Sequence, residues 1–271
     1  MNKTTPLVSV VITTKNEEKH IENLLRSIKN QTYKNIEIIL VDNYSTDKTR
    51  EIARKYIDKI YLKGPERSAQ RNYGAQKAKG KYLLFLDADM ILSPTVIEEC
   101  IQEAEEKKYI ALYIPEKTIG KTFWTKVRDF ERSFYIDTPI EAVRFVRKDI
   151  FLRIGGYDEN LTGPEDWDLD RRIKQLGKTG RIKSIIYHNE NTLTLKRHLI
   201  KKKHYIKSLQ KYIQKWGRDS IIKKQLGTYY RFIGVFVEKG KWRRLLRHPL
   251  LTIAMYYLKI REALIYIKTS S

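Results

Sequence analysis

The chain has 271 residues, 41% hydrophobic and 32% charged, which suits one large domain or one domain with an appended segment. Its single cysteine, Cys100, excludes an internal disulfide and fits a reducing compartment. The net charge of +22 is uneven, because residues 191–271 hold 20 Lys and Arg against 3 Asp and Glu. We therefore expect a domain over residues 1–190 and a basic extension over residues 191–271. The polar start, Met1 to Pro6, has no apolar stretch typical of a signal peptide.

The first ninety residues alternate between apolar runs and amphipathic or polar stretches. This alternation predicts an α/β fold with a mainly parallel sheet flanked by helices. No glycine-rich phosphate loop follows the first strand, so phosphates must be held in another way. The predicted strands are 7–12, 36–41, 59–62 and 82–86, and the predicted helices are 21–28, 48–56 and 69–78.

Two carboxylates, Asp87 and Asp89, come directly after the apolar run Tyr82 to Leu86. In open α/β sheets, ligands bind beyond the carboxyl ends of the strands, where both side chains are expected. Carboxylates on a short turn suit Mg²⁺ or Mn²⁺, which often connect protein to phosphate. An acidic loop without a metal is the competing interpretation.

Three further residues are candidates for the same edge of the sheet. Arg67 and Arg71 lie one helical turn apart before the Asp87 strand, and guanidinium groups bind phosphate through paired hydrogen bonds. They could equally be solvated surface arginines. Asp42 ends the second strand and could accept hydrogen bonds from a ribose or a base, or it could be purely structural.

The second half of the chain is less regular. We expect helices at 93–107, 117–136 and 149–154, and strands at 109–114, 142–146 and 181–187. His188 follows the last strand and could complete a divalent metal site, although a lone histidine is more often structural.

A second acidic cluster, Glu165, Asp166 and Asp168, surrounds Trp167 at the start of a predicted helix. Acids in the first helical turn are stabilised by the helix dipole, which is the plain interpretation. An exposed indole beside carboxylates, by contrast, suits stacking on a sugar face.

Taken together, these segments resemble the family 2 glycosyltransferases, which have the GT-A fold. The resemblance rests on blocks that occur in order between residues 7 and 190. They are Val10 to Glu18, Ile39 to Asp47, Gln70 to Ala75, Gly80 to Asp89, Gly155 to Glu159 and Glu165 to Leu169.

The resemblance implies transfer of a sugar from a nucleotide-sugar donor with inversion. It assigns Asp166 as the general base and Asp89 and His188 as ligands of a divalent metal, Mg²⁺ or Mn²⁺. We further expect a UDP- or GDP-sugar as donor, a lipid-linked or glycan acceptor, and Glu165 and Trp167 on the acceptor side. The positions that match the donor site are Thr13, Asn16, Asp42, Arg67, Arg71 and Asp87. Thr13 and Lys15 stand where the family often has Pro and an aromatic residue, and Asn43-Tyr44 replaces its usual Asp-Gly.

The basic extension has helices with a Lys/Arg face and an aromatic-apolar face, which is typical of segments that lie in a membrane interface. Lys259, Arg261 and Glu262 interrupt its last apolar stretch, so it is a poor spanning helix. We expect peripheral attachment to the cytoplasmic face of the membrane, or packing of the apolar face on the catalytic domain.

Two other classes of function remain at this point. A nucleic-acid-binding protein could bind phosphates through the basic extension. This interpretation leaves the ordered acidic blocks unexplained, so we expect no nucleic acid partner. A nucleotidyltransferase could use a similar sheet, but it does not account for Glu165 and Asp166.

Overall fold

The computed structural model describes residues 5–191, 194–206 and 208–270. Packing divides the chain into two units, each built from separate stretches of sequence. The first comprises Met1–Glu116, Ala142–Glu159 and Asp168–Asn189, and the second comprises Lys117–Glu141, Asn160–Trp167 and Glu190–Ser271. The predicted absence of a signal peptide concerns the polar start of the chain, of which residues 1–4 lie outside the described residues. The predicted domain boundary at residue 190 stays a prediction.

The first unit is built on a seven-stranded sheet in the order β3-β2-β1-β4-β8-β6-β9. Strands β3, β2, β1 and β4 run parallel, and β8 runs antiparallel to β4 and β6. The predicted α/β fold with a mixed, mainly parallel sheet is therefore confirmed. The seven strands are β1 Val8–Thr14, β2 Ile36–Asp42, β3 Ile60–Leu62, β4 Tyr82–Asp87, β6 Ala111–Tyr113, β8 Phe145–Arg147 and β9 Thr179–Arg181.

Helices cover both faces of this sheet, because alternate residues of the central strands are apolar on both sides. Leu84 packs in one core cluster with α1 and α4, whereas Phe85 packs in another with α3 and α7. The helices of this part of the chain are α1 Ile21–Lys29, α2 Thr49–Arg54, α3 Arg67–Lys77, α4 Val96–Lys107, α6 Lys148–Arg153 and α7 Glu165–Lys174. Strands β5 (Met90–Leu92) and β10 (Ile186–Asn189) pair antiparallel beside the sheet.

Three predicted elements are wrong in their extent, and one of them, the strand predicted over 142–146, is β8 (Phe145–Arg147). The helix predicted over residues 117–136 is a strand, β7 (Glu116–Ile119), followed by a shorter helix, α5 (Phe123–Arg132). The hydroxyl of Thr122 caps this helix by accepting a hydrogen bond from the backbone N–H of Thr125 at 3.1 Å. The strand predicted over 181–187 is divided into β9 and β10, since the N–H groups of residues 183 and 184 turn aside to the Glu99 carboxylate.

The second unit is helical, as predicted for the basic extension. Its two core clusters gather around Phe134 and Phe236, and around Tyr212. Besides α5, its helices are α8 Leu195–Ile206, α9 Leu209–Trp216, α10 Ser220–Leu226, a π-helical turn at Tyr230–Gly234, α11 Val235–Val237, a 3₁₀ turn at Glu238–Gly240, α12 Trp242–Arg247 and α13 Pro249–Ser270. In the described residues, no helix combines the length and the apolar character needed to cross a membrane.

The charges that interrupt the apolar sequence of α13 are buried and paired. The Lys259 ammonium lies 3.3 Å from the Glu131 carboxylate of α5, and Glu262 bonds to His198 of α8 at 2.5 Å. Burial alone raises the pKa of Glu262, but the nearby Lys202 ammonium and the bond with His198 lower it to about 2. Burial lowers the pKa of Lys259 to about 8, against the opposing attraction of Glu131. These ion pairs connect α13 to α5 and α8.

Candidate active site

The carboxyl ends of three neighbouring strands form the centre of the candidate site. In the parallel register, Thr14 of β1 lies opposite Asp42 of β2, and Thr13 lies opposite Asp87 at the end of β4. The strands themselves are buried because they consist almost wholly of β-branched and leucine residues. Polar side chains begin only where the strands end, which gathers them at one edge of the sheet.

Asp87 is the charged centre of this edge. Its carboxylate accepts a hydrogen bond from Arg71 at 2.9 Å and one from the Thr13 hydroxyl at 3.1 Å. Arg67 and Arg144 lie farther away, at 3.9 and 4.0 Å. Burial alone raises the pKa of Asp87, but the three guanidinium groups outweigh it and hold the pKa well below its usual range. Asp87 is therefore ionised at any physiological pH.

The two predicted phosphate-binding arginines differ in exposure. The Arg71 side chain is fully buried and its guanidinium also lies over the ring of Tyr157, 5.0 Å from the centroid. The Arg67 side chain keeps 29% of its surface exposed. The interpretation of both as solvated surface arginines is therefore wrong, and Arg67 is the more exposed of the two.

Asp89 lies two residues farther on, in the turn between β4 and β5. Strand β10 brings His188 beside it, with His188 Nδ1 at 3.8 Å from Asp89 Oδ1. The opposite ring nitrogen, Nε2, is 2.8 Å from the Glu116 carboxylate. A carboxylate on one nitrogen of an imidazole fixes the ring orientation and leaves the other nitrogen aimed at a ligand.

This pair fits an open divalent site rather than a closed one. Across the part of the chain that the structure describes, no three His, Cys, Asp or Glu side chains gather in a group able to hold a metal ion. Mg²⁺ commonly uses only one or two protein carboxylates and takes its other ligands from water and substrate phosphates. Asp89 and His188, with Glu116 behind the imidazole, match that arrangement.

The loops after β1 and β2 bind each other. Asp42 is fully buried and accepts hydrogen bonds from the backbone N–H and the hydroxyl of Ser45. Asn16, in the left-handed region at φ +56°, accepts the backbone N–H of Thr46 at 2.8 Å and donates its own N–H to Ser45. The structure thus gives Asp42 and Asn16 a role in shaping the loop, and their predicted contacts with a donor stay predictions.

The second acidic cluster lies at the beginning of α7, where Glu165 and Asp166 belong to the second unit and Asp168 to the first. Glu165 is buried and accepts the backbone N–H of Gly163, which sits at φ +106°. Asp166 is partly exposed. The expectation of an exposed indole is wrong, because Trp167 packs against Tyr212 and donates its N–H to the Ile140 carbonyl at 2.8 Å.

Sequence reasoning missed two residues of this site, Glu116 and Arg144. Arg144 Nε lies 2.5 Å from Glu116, so the pair connects the Asp87 and His188 surroundings. The signal for Arg144 was present, since it is a lone arginine within the apolar run of residues 142–146. Glu116 carried no such signal, because only the path of the chain after β6 brings it to His188.

Comparison with known families decides the classification. The family model described as glycosyl transferase family 2 matches residues 9–157, which is more than half of the chain. The chain belongs to glycosyltransferase family 2. The match covers the strands that carry Thr13, Asp42 and Asp87, and the turn that carries Asp89.

Curated relatives support this membership. The chain is 34% identical over 182 residues to an uncharacterised glycosyltransferase of Methanocaldococcus jannaschii, covering 60% of this chain and 63% of that protein. It is 31% identical over 202 residues to the minor teichoic acid biosynthesis protein GgaB of Bacillus subtilis, covering 66% of this chain and 22% of that protein. The aligned region thus spans less than two thirds of the length of either relative.

Solved structures confirm the GT-A fold. The mannosyltransferase PcManGT from Pyrobaculum calidifontis, in complex with GDP-Man and Mn²⁺, aligns with a TM-score of 0.67 at 17% identity, over 98% of this chain and 88% of that one. S. aureus TarS 1-349 in complex with UDP-GlcNAc aligns with a TM-score of 0.56 at 17% identity, over 97% of this chain and 90% of that one. At this identity the likeness establishes the fold of the family 2 domain.

Proposed function

We propose that this family 2 glycosyltransferase moves a hexose from a nucleotide-diphosphate sugar to an acceptor hydroxyl, with inversion at the anomeric carbon. The observation that carries the proposal is the edge of the sheet where Asp87 is held ionised by arginines and Asp89 faces His188. A diphosphate leaving group needs positive charge where its own charge develops, and this edge supplies it. Inversion is inferred from the family resemblance alone.

The donor is proposed to be a UDP- or GDP-sugar. Solved neighbours of this fold were crystallised with GDP-Man, with UDP and with UDP-GlcNAc. In this chain, the partly exposed Arg67 would hold the diphosphate, and Arg71 acts through Asp87, which it holds in place. Thr13, Asn16 and Asp42 are assigned to the base and ribose by their place at the ends of β1 and β2.

A divalent cation, Mg²⁺ or Mn²⁺, is proposed as cofactor on Asp89 and His188. Bound there, it would stabilise charge on the departing nucleoside diphosphate. Glu116 orients His188 and keeps its Nδ1 facing Asp89. Arg144 in turn holds Glu116, so the second ring nitrogen of His188 stays occupied.

Asp166 is proposed as the general base that takes the proton from the acceptor hydroxyl, a contribution of roughly 10²–10⁴ in rate. It is the partly exposed carboxylate of the cluster at the start of α7. Glu165 and Trp167 are both packed, so we assign them to holding this acceptor side in shape. The acceptor itself is proposed to be lipid-linked or a glycan.

The experiment is a donor screen. The protein is incubated with Mn²⁺ or Mg²⁺ and a panel of UDP- and GDP-sugars, and released nucleoside diphosphate is measured. Metal-dependent release from one donor should disappear in the Asp89→Ala variant. It should persist in the Asp58→Ala variant, because Asp58 is an exposed aspartate of the same unit that is distant from Asp89 in sequence. Equal release by wild type and Asp89→Ala would contradict the assignment.

Transfer is tested separately from donor cleavage. Asp166→Asn should retain donor-induced thermal stabilisation and lose transfer to an added acceptor by at least about 100-fold. Release of pyrophosphate instead of a nucleoside diphosphate would indicate a nucleotidyltransferase. Salt-sensitive binding of DNA without any nucleotide-sugar binding would indicate a nucleic-acid-binding protein, and the family match favours neither alternative.

A further inference from the structure

An apolar stripe lies exposed along the last helix of the second unit. Leu250, Ile253, Tyr257, Ile260 and Leu264 follow one another at intervals of three and four residues, so they lie on one face of α13. Each keeps between 44% and 75% of its surface exposed. The opposite face, with Met255 and Leu258, is buried in the core of the unit. The packing of the unit uses the opposite face of α13, so the exposed stripe is apolar surface that the core of the unit does not use.

The stripe continues at both ends into other exposed apolar surface. Toward the amino end, Trp242 and Leu246 of α12 are exposed, Leu246 by 72%. Toward the carboxyl end, a groove of about 320 Å³ lies beside α13, with Leu199, Ile200 and Ile265 among its apolar lining. Lys196, Lys203 and Arg261 also line this groove. The apolar surface is thus bordered by ammonium and guanidinium groups.

The exposed charges around this surface are of one sign. From residue 239 to residue 266 they are Lys239, Arg243, Arg244, Arg247 and Arg261. The two acids nearest to them are engaged elsewhere, Glu238 with Tyr230 and Lys241, and Glu262 with His198. An apolar face bordered only by cations matches the interface of an anionic bilayer, where side chains enter the acyl boundary and cations meet headgroup phosphates.

We propose that the stripe of α13, together with Trp242 and Leu246, is a docking surface on which the protein lies on an anionic lipid bilayer. The helix lies in the plane of the interface, with its buried face kept in the protein. A second copy of the chain fits less well, because Arg261 flanks the stripe and the acid that the described part of α13 carries, Glu262, is already bonded to His198. The proposal deepens the proposed function, since it rests on an acceptor that is reached at a membrane.

The test is flotation of the full chain with vesicles of phosphatidylglycerol and, separately, of phosphatidylcholine. Wild type should float with the anionic vesicles and much less with the neutral ones. The double variant Leu250→Gln/Ile253→Gln should bind at least about tenfold more weakly, because two exposed side chains no longer enter the bilayer. The matched control is Leu152→Gln/Leu176→Gln, which removes two exposed leucines from the first unit.

A charge variant tests the cationic border independently. Arg243→Gln/Arg247→Gln should weaken binding to anionic vesicles by roughly 25-fold, at about 1 kcal/mol for each charge near the surface. Arg153→Gln/Lys178→Gln, which removes the same charge from exposed positions of the first unit, should bind like wild type. Circular dichroism of every variant confirms that the helices are intact.

Three outcomes would overturn the proposal. Wild type could fail to float with anionic vesicles, the stripe variant could float as well as its control, or wild type could form a dimer that the stripe variant loses. Nucleoside diphosphate release by wild type is measured in the same samples without vesicles. Release without flotation refutes the docking surface alone, and flotation without release refutes the proposed function alone.

Discussion

The two carboxylates of the Asp87-Ala88-Asp89 segment should respond differently to substitution. Asp87→Asn keeps the shape of the side chain but removes its charge, leaving the fully buried guanidinium of Arg71 without its carboxylate. Breaking a buried ion pair by removing one partner costs about 3–5 kcal/mol. We take the lower end, about 3 kcal/mol, because 20% of the Asp87 side chain is exposed.

Asp89→Asn is the matched comparison, two residues along the same segment. The Asp89 side chain is 28% exposed, and its carboxylate lies 3.8 Å from Nδ1 of His188 on β10. Its substitution should change stability by no more than about 0.5 kcal/mol. The same substitution should abolish metal-dependent release of nucleoside diphosphate. Asp87 is therefore expected to contribute stability as well as activity, and Asp89 activity alone.

Thermal unfolding measured by calorimetry distinguishes the two. At about 2–4 °C per kcal/mol for a chain of this size, Asp87→Asn should lower Tm by about 6–12 °C and Asp89→Asn by about 2 °C or less. Adding back the charge with Asp87→Glu tests whether the carboxylate or the fit of the side chain matters. Equal Tm values for the Asn variants would refute the reasoning, because Asp87 would then not hold Arg71.

Three further outcomes follow from particular contacts. Glu116→Gln should weaken Mn²⁺ binding roughly 10–100-fold by loosening His188, measured by titration calorimetry, while Glu103→Gln on α4 leaves the affinity unchanged. Glu262→Gln should destabilise the protein by about 3 kcal/mol near pH 7, with the deficit disappearing as the pH falls from 4.5, the usual glutamate pKa, toward the folded pKa of about 2. Stability is followed by tryptophan fluorescence, and a constant deficit across that range would contradict the shift. Trp167→Phe should cost about 1 kcal/mol through its lost hydrogen bond and leave the acceptor KM unchanged; a raised KM would show that the indole touches the acceptor.

Regular periodicity made the first half of the fold predictable. β4 was located correctly, with Asp87 at its end and Asp89 in the turn after it, because a short uninterrupted apolar run is typical of a strand buried on both faces. The helix predicted over residues 117–136 failed for the opposite reason. Aromatic and charged residues there follow no period, and the strand before Gly120 is too short to show one.

Buried polar residues were the hardest to interpret from sequence. Arg71 looks like any arginine of a surface helix, and its burial follows only from the position of Asp87 on another element. The indole of Trp167 looked available because its neighbours are acidic, but Tyr212 and the Ile140 carbonyl, both distant in sequence, occupy it. Such side chains are determined by tertiary partners, which a local pattern does not contain.

The block Gln70-Arg71-Asn72 shows why several short motifs identified the family when single ones did not. Gln70 donates to the carbonyls of Thr14 and Val41 at the ends of β1 and β2. Arg71 binds Asp87 at the end of β4, and Asn72 exchanges hydrogen bonds with the backbone of Tyr157.

Three consecutive residues of one helix thus connect four of the blocks on which the resemblance rests. Gly156, at φ +69°, belongs to this arrangement, because a Cβ there would lie 2.5 Å from the side-chain oxygen Oδ1 of Asn72. In this chain the motifs bind one another around the strand ends. Each block is weak evidence alone, since its residues acquire their roles only when the others are present.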